Sequence, residues 1–291
     1  ISYHMLSDDK IKFLELKANQ IREHIIKMLV KAGSGHTAGP LGMADIFTLL
    51  YFHALRHEPK RPDWPERDRL VLSNGHICPV LYATMAEAGY FELKELETLR
   101  QFKSILQGHP HRDFLPALET SSGPLGSGLS QAVGMALADR LDNGASAAKF
   151  IYCLMSDGEQ ECGQTWEAAM LAGKEGLGRL IAIIDRNNIQ IDGYTEYIMP
   201  LEPLLQKYAA WNWQVVEAPG HDFTALNEAI LEAQSVFNRP SIIIAHTTPG
   251  KGVKMFENKY ECHGKPPSVV EGEEALRELK EREVKLTKAE V

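Results

Sequence analysis

A chain of 291 residues with 44% hydrophobic and 24% charged residues is long enough to bury a sizeable core and has the composition of a water-soluble globular protein. Its net charge of −8 excludes bulk affinity for nucleic acid; no apolar run approaches the ~20 residues of a membrane span, and no signal peptide is visible, so a cytoplasmic location is expected. Cys78, Cys153, Cys162 and Cys262 show no metal-ligand or redox-motif spacing and read as free thiols of a reducing compartment. Ile1-Ser-Tyr-His4 ahead of Met5 resembles a cloning scar, which leaves 5–291 as the expected single domain.

The first element is a helix. Ile11, Leu14, Ala18, Ile21, Ile25 and Leu29 recur at three- and four-residue steps, the period of one helical face. Asp8 and Asp9 suit its N-terminal end. It stops at Gly33-Ser-Gly-His36-Thr-Ala-Gly-Pro40, and a second helix is expected over Leu41–Leu55. His36 therefore lies on a glycine-rich loop; alone, it reads as a surface histidine after a helix C-cap. The charged, proline-rich stretch 56–67 is a surface connection. Arg69–Leu72 is a short strand whose turn, Ser73-Asn-Gly-His76, leads into a helix over Pro79–Ala88. Gln107-Gly-His109-Pro110 puts a further histidine on a loop, and His111 beside it reads as solvated. Ser121-Ser-Gly-Pro-Leu-Gly-Ser-Gly-Leu-Ser130 precedes an alanine-rich helix, Gln131–Leu141. A glycine-rich loop opening a helix is, by itself, weak evidence for an anion site.

The densest information lies in Ser156–Gly193. The apolar run Phe150–Met155 ends in Ser156-Asp157-Gly158. A helix follows, expected to set Trp166, Ala169, Met170 and Gly173 on one side, and the apolar run Leu180–Ile184 then ends in Asp185-Arg-Asn-Asn188. Two apolar runs separated by a helix read as a βαβ unit. Its right-handed crossover sets the carboxyl ends of the strands side by side, so Asp157 and Asn187 meet at the edge where open α/β sheets bind ligands. A carboxylate, an amide oxygen, a backbone carbonyl and a water leave room for phosphate oxygens, the usual way Mg²⁺ is held. Gly158, without a Cβ, lets a diphosphate approach the backbone. Each piece singly is ordinary turn chemistry; the pair in this frame points to a metal–diphosphate site. Further on, helices are expected over Pro200–Ala210 and Phe223–Phe237, and strands over Trp213–Glu217 and Ser241–Ala245. Lys251 reads as a surface lysine, His263 lies on a loop, and Glu271–Leu286 is a charged helix with a solvated face. The pattern as a whole is an α/β fold with a mostly parallel central sheet and helices on both faces.

These stretches resemble the thiamine-diphosphate enzymes, and transketolase in particular. Asp157-Gly158, a helix-bearing spacer and Asn187 match the family's cofactor motif, with Ser156 in place of its first glycine. TWEAAM (165–170), RLIAIIDRNNIQIDG (179–193), SGHTAGPLG (34–42), SNGH (73–76), SSGPLGSG (121–128) and HGKP (263–266) extend the likeness over essentially the whole chain. The resemblance implies the PP-type thiamine-diphosphate-binding fold, with thiamine diphosphate as cofactor. It implies Mg²⁺ or Ca²⁺ held by Asp157, Asn187 and the carbonyl of Ile189. By the same likeness His76, Gly158 and His263 reach the cofactor's diphosphate side, and Gly123, Pro124 and Leu125 meet its aminopyrimidine. His36, His109 and His263 would face the sugar, and His36, His76, His109 and His263 would form the catalytic histidine set. The family's Glu-Gly that follows the motif is Cys162-Gly163 here, with Glu161 one place early; in the family that glutamate couples two active sites.

Only the diphosphate-binding portion of a single-chain transketolase is matched. The resemblance thus implies a chain that self-associates and pairs with a separate C-terminal subunit, which supplies the pyrimidine-binding domain and its glutamate. The expected assembly is a two-plus-two heterotetramer that moves a two-carbon ketol unit between sugar phosphates, as in the pentose phosphate pathway. Two alternatives stay open. One is a thiamine-diphosphate chain that acts on another sugar or in a deoxyxylulose-phosphate-synthase-like enzyme; the other is a non-catalytic regulatory paralogue that keeps the loops. A nicotinamide dehydrogenase is disfavoured, because loop 123–128 follows no recognisable first strand and lacks an acidic ribose partner. Asp185–Tyr197 is expected to be mobile until metal and diphosphate supply partners for its polar groups.

Overall fold

The computed structural model describes residues 6–144 and 148–288, so the expected scar at 1–4 lies outside the described residues. In chain order the elements are α1 (Asp8–Ala32), α2 (Ala38–Leu49), β1 (Arg69–Leu72), α3 (Cys78–Glu87), α4 (Ser127–Asn143), β2 (Ile151–Ser156), α5 (Gly163–Glu175) and β3 (Leu180–Arg186). They continue with β4 (Ile189–Gln190), β5 (Gly193–Tyr194), α6 (Thr195–Ile198), α7 (Leu204–Ala210), β6 (Gln214–Pro219), α8 (Phe223–Ser235), β7 (Ser241–His246) and α9 (Val269–Lys288). The main sheet has the order β1-β2-β3-β7-β6 and is parallel at every pairing.

Strands β2 and β3 are buried along their whole length, and this explains their unbroken apolar runs: both faces of each strand are covered. Successive side chains point to opposite faces. Tyr152, Leu154, Ile181, Ile183 and Ile243 join the layer that holds Ile21 and Ile25 of α1, Phe47 of α2, Leu81 of α3 and Leu226 of α8. Ile151, Cys153, Met155, Leu180, Ala182, Ile184, Ile242 and Ile244 join the other, with Leu129 of α4, Ala169 of α5 and Tyr208 of α7. Helices therefore cover both faces, as the sequence pattern predicts. The register pairs Leu72 with Leu154, Ser156 with Asp185, and Asp185 with Ala245. The turns that begin at Ser73, Asp157, Asn187 and Thr247 consequently leave the sheet along one edge.

A buried polar network fixes two of those turns against the helices. Arg22 of α1 grips Asp45 of α2 with two bonds of 3.0 and 2.6 Å. Thr248 N–H donates to His221 Nε2 at 2.7 Å, so the proton sits on Nδ1, which donates to Asp45 at 2.7 Å. Burial works against ionisation of Asp45, but Arg22 and His221 outweigh it and hold the carboxyl well below the usual carboxylate range. Asp45 is thereby a charged hub joining α1, α2 and the turns after β6 and β7.

Several boundaries differ from the sequence expectation. Helix α2 begins at Ala38 rather than Leu41, because Pro40 falls in its first turn, where a missing N–H costs nothing. Helix α4 begins at Ser127, inside the glycine-rich run. Helix α7 begins at Leu204 rather than Pro200. The antiparallel pair β4–β5 has no signal in the apolar pattern. Met170 is not on the buried side of α5: it is 38% exposed, and the packed side is Thr165, Ala168, Ala169, Ala172 and Gly173. Among the described residues no helix is long and apolar enough to cross a membrane.

Gly173 sets how closely α5 approaches the turn after α7, since a Cβ there would lie 1.7 Å from the Trp211 carbonyl oxygen. Helix propensity alone makes Gly173→Ala stabilising by about 1 kcal/mol. The clash reverses the sign, and a loss of about 1–3 kcal/mol is expected. A fall in the urea midpoint with unchanged m-value would establish this; a midpoint at or above that of the parent would show that α5 can shift freely.

Candidate functional site

The β2–β3 corner is built from backbone turns and two carboxylates. Asp157, at the end of β2, is fully buried. Its Oδ1 accepts from Gly158 N at 2.7 Å, and its Oδ2 accepts from Asn188 N at 2.6 Å and from Arg186 Nη1 at 3.0 Å. Asn187 donates from Nδ2 to Asp185 at 2.7 Å and accepts through Oδ1 from Ile189 N at 3.0 Å. Asp185 also accepts a short bond from Thr247 of the next strand's turn. Burial is the largest influence on Asp185 and, with Asp157 nearby, pushes its carboxyl up to about 7. Burial also raises Asp157, against the pull of Arg186. The expectation that the polar groups of Asp185–Tyr197 lack partners without a ligand is corrected in part: Asp185, Asn187 and Asn188 find them inside the chain, whereas the buried Thr195 Oγ1 does not, and β4–β5 gives the 189–194 segment a defined hairpin.

Three of the four singled-out histidines come together. The ring centroids of His36 and His76 are 4.8 Å apart, those of His36 and His263 5.6 Å, and those of His76 and His263 5.3 Å. The loops that carry them are tied: Thr37 Oγ1 donates to the Lys265 carbonyl at 2.6 Å, and a Cβ on Gly264 would lie 3.6 Å from His36 Nε2. His109 is exposed and makes no ring contact with the three, although its charge would be felt by His36 and His76. His111, expected to be solvated, is only partly buried. Burial, followed by the charges of His263, Arg100 and His109, lowers His36 to about 4. Burial lowers His263 to about 4 and takes His76 well below its usual value. All three imidazoles are therefore neutral at pH near 7, each offering one donor and one acceptor.

The glycine-rich loop closes against the same edge. A Cβ on Gly75 would lie 2.6 Å from Ser122 Oγ and 3.2 Å from Gly123 N, so the Ser73–His76 turn and the loop touch. Pro124 is exposed and Leu125 half-buried, with the Leu125 carbonyl accepting from Gln164 at 2.7 Å. Glu159 is a residue that sequence reasoning misses. It is fully buried, and its carboxylate accepts from Gly126 N at 2.5 Å, from Ser156 N at 3.2 Å and from the Ser73 hydroxyl. It joins β1's turn, the glycine-rich loop and the end of β2. Its only sequence signal is its place two residues after Asp157. Gln160, also missed, is buried and accepts from Tyr208 at 2.6 Å. Glu161 is exposed and bonded to Gln190, and Cys162 is partly buried against Gly126.

The edge fits a polar, phosphate-bearing group. Buried polar atoms without a protein partner gather at its loops: both side-chain atoms of Asn74, Ser122 Oγ, and Nδ1 of His36 and His263. Positions Gly123 and Gly158 leave open space where a Cβ would stand or meet only ordinary contact. Among the described residues no group of three or more His, Cys, Asp or Glu is arranged to hold a metal. An ion at the corner would thus rely on the mixed set of Asp157, Asn187 and the Ile189 carbonyl, completed by ligand oxygens.

Comparison with known proteins matches this geometry. The family model described as "Transketolase, thiamine diphosphate binding domain" covers residues 14–283. Over 279 residues the chain is 38% identical to an apulose-4-phosphate transketolase subunit of Phocaeicola vulgatus, covering 96% of this chain and 98% of that one. Over 250 residues it is 42% identical to 6-deoxy-6-sulfo-D-fructose transketolase subunit SqwG of Clostridium sp. (strain MSTE9), covering 86% and 90%. It is 42% identical over 258 residues to transketolase 2 of Escherichia coli (strain K12), but spans only 38% of that longer chain. The transketolase structure from Leishmania mexicana superposes with a TM-score of 0.88 at 34% identity, covering 97% of this chain and 42% of that one.

The histidine cluster has a pH signature. The folded values of His36 and His263 lie near 4, below the ordinary value of 6.5, so between these limits the unfolded chain binds more protons. Stability contributed by these rings is complete above about pH 6.5 and falls as pH drops towards 4. His263→Asn is expected to lose less stability than the parent between about pH 7 and pH 5. Urea midpoints at the two pH values check this, and equal losses in the two proteins would contradict it.

Proposed function

The chain belongs to the transketolase family, of which it is the N-terminal thiamine-diphosphate-binding portion, and on that premise we propose that it is the diphosphate-binding subunit of a two-chain transketolase. The observation that carries this reading is the cluster of three neutral histidines on the sheet edge that also carries the Asp157–Asn187 corner. The match to nearly the full length of two chains named as transketolase subunits supports a two-chain enzyme.

Asp157, Asn187 and the Ile189 carbonyl are the proposed holders of Mg²⁺ or Ca²⁺, with Gly158, His76 and His263 facing the diphosphate and Gly123, Pro124 and Leu125 facing the aminopyrimidine. When bound, thiamine diphosphate supplies the electron sink that ketol transfer requires. The chain's own residues orient and move protons. His36, His109 and His263 hydrogen-bond the sugar's hydroxyls. A neutral imidazole accepts a proton at its free nitrogen and gives it back later, and His36, His76, His109 and His263 are the groups proposed for this, with His109 at the exposed margin of the other three. Asp185 pins the Asn187 amide through Nδ2 and so fixes Oδ1 as the oxygen on the Ile189 side, where it accepts from Ile189 N. A separate C-terminal subunit supplies the pyrimidine-binding domain and its glutamate, in a two-plus-two assembly in which this chain also self-associates. The proposed reaction passes a two-carbon unit from a ketose phosphate to an aldose phosphate in the cytoplasm, as in the pentose phosphate pathway. A second reading, another anionic ketose, is favoured by two relatives whose names specify apulose-4-phosphate and 6-deoxy-6-sulfo-D-fructose.

Calorimetric titration of thiamine diphosphate with Mg²⁺, with and without the C-terminal subunit, tests the proposal. Binding that needs the partner and is lost in Asp157→Ala is expected. Removal of a ligand should exceed the roughly 10–100-fold that outer-shell changes cost. Ketol transfer by this chain alone at rates matching the two-chain enzyme would overturn the need for a partner. Absence of binding with the partner present would overturn the cofactor site and favour a regulatory role.

A further inference from the structure

The Asp157 carboxylate is already paired with a cation of the chain itself. Arg186, the last residue of β3, is only 9% exposed. Its Nη1 donates to Asp157 Oδ2 at 3.0 Å, and its Nη2 donates to Glu196 at 2.6 Å and to Glu202 at 3.0 Å. Asp157 Oδ2 has both its acceptor positions filled, by Arg186 and by Asn188 N, while Oδ1 takes a single bond from Gly158. A divalent ion drawn to this carboxylate therefore arrives beside a buried positive charge, and one carboxylate cannot satisfy both cations without repulsion between them. Glu196 and Glu202 are partly exposed, with side-chain accessibilities of 31% and 51%, and together they can hold a guanidinium without Asp157. Both lie on the segment 194–202, which presents Tyr197, Ile198 and Met199 to solvent at 85%, 43% and 55% exposure.

We infer that Arg186 is a resident cation that competes with the divalent ion for Asp157 and passes to Glu196 and Glu202 when the ion arrives. Arg186 is thus a positioning residue: it pairs with Asp157 in competition with the ion, it sets the corner's metal affinity, and it links metal filling to a tighter hold on the 194–202 segment. This rests on the reading of Asp157, Asn187 and the Ile189 carbonyl as the metal corner.

The coupling predicts effects of opposite sign from the two ends of the network. Mn²⁺ binding is measured by the resonance signal of the free ion, in the full chain with saturating thiamine diphosphate and the C-terminal subunit. Arg186→Leu should bind Mn²⁺ about tenfold more tightly than the parent, and the Glu196→Gln/Glu202→Gln double variant about tenfold more weakly, within the ordinary range of coupling between sites. Arg186→Lys should stay near the parent. Metal-free R186L should melt below the parent and gain more in Tm from metal than the parent does. Loss of an ordinary packing role would not tighten metal binding at one end and weaken it at the other. Should R186L not fold, the double variant decides, since both of its sites are partly exposed; unchanged or tighter Mn²⁺ binding in it overturns the inference. Unchanged or weaker binding in a folded R186L does the same. Asp157→Ala separates the two levels. If parental Mn²⁺ binding survives that change, the metal corner itself is misread; if it is abolished while R186L is unchanged, only the role of Arg186 fails.

Discussion

Parallel pairing in register is the constraint on which the rest of this structure depends. Because β1, β2, β3 and β7 run the same way and are aligned Leu72 to Leu154, Ser156 to Asp185 and Asp185 to Ala245, their carboxyl ends finish along one line. Hydrogen bonding of the sheet stops there, so the turns must satisfy their backbone groups by other means. Asp157 takes the N–H groups of Gly158 and Asn188, and Glu159 takes those of Ser156 and Gly126. The same carboxylates that cap the broken sheet thereby shape the site. A shift of one strand by one residue would exchange its two buried faces and move its turn off the line.

Charge management at this edge follows from burial. A buried carboxylate is tolerated only when paired or bonded. Asp45 is held by Arg22 and His221, Asp157 by Arg186 and two amides, and Glu159 by two amides and a hydroxyl. The histidines take the other route: crowded and largely buried, they give up their charge. The result is a patch of neutral imidazoles, each with one donor and one acceptor, on the same edge as a corner that keeps a fixed anion. The superposition on transketolase structures at TM-scores of 0.83–0.88 extends well beyond this edge, over 97% and 94% of the chain in two of them.

What a linear reading can reach is set by how local each signal is. The βαβ unit, the two-sided burial of β2 and β3 and the emergence of Asp157 and Asn187 at one edge follow from apolar runs and crossover handedness, both properties of short stretches. His36, His76 and His263 can be nominated from loop position and resemblance, but nothing in their spacing places three rings within 4.8–5.6 Å of one another. His109, nominated on the same grounds, lies at the exposed margin. A linear reading puts Met170 on the wrong side of α5, because a short helix with apolar residues on more than one side leaves the buried direction to its neighbours.

The sequence by itself determined the α/β class, the order of the main-sheet strands along the chain, the family and the turns that follow those strands, because periodicity, turn chemistry and motif spacing are written in neighbouring positions. Only the tertiary structure decided the charge partners. Arg186 reaches Asp157 across 29 positions, Glu159 meets Ser73 across 86, and His221 meets Asp45 across 176. Such pairs carry no local signature: a carboxylate's state depends on which distant donor the packing of sheet and helices delivers to it, and on how much water that packing removes.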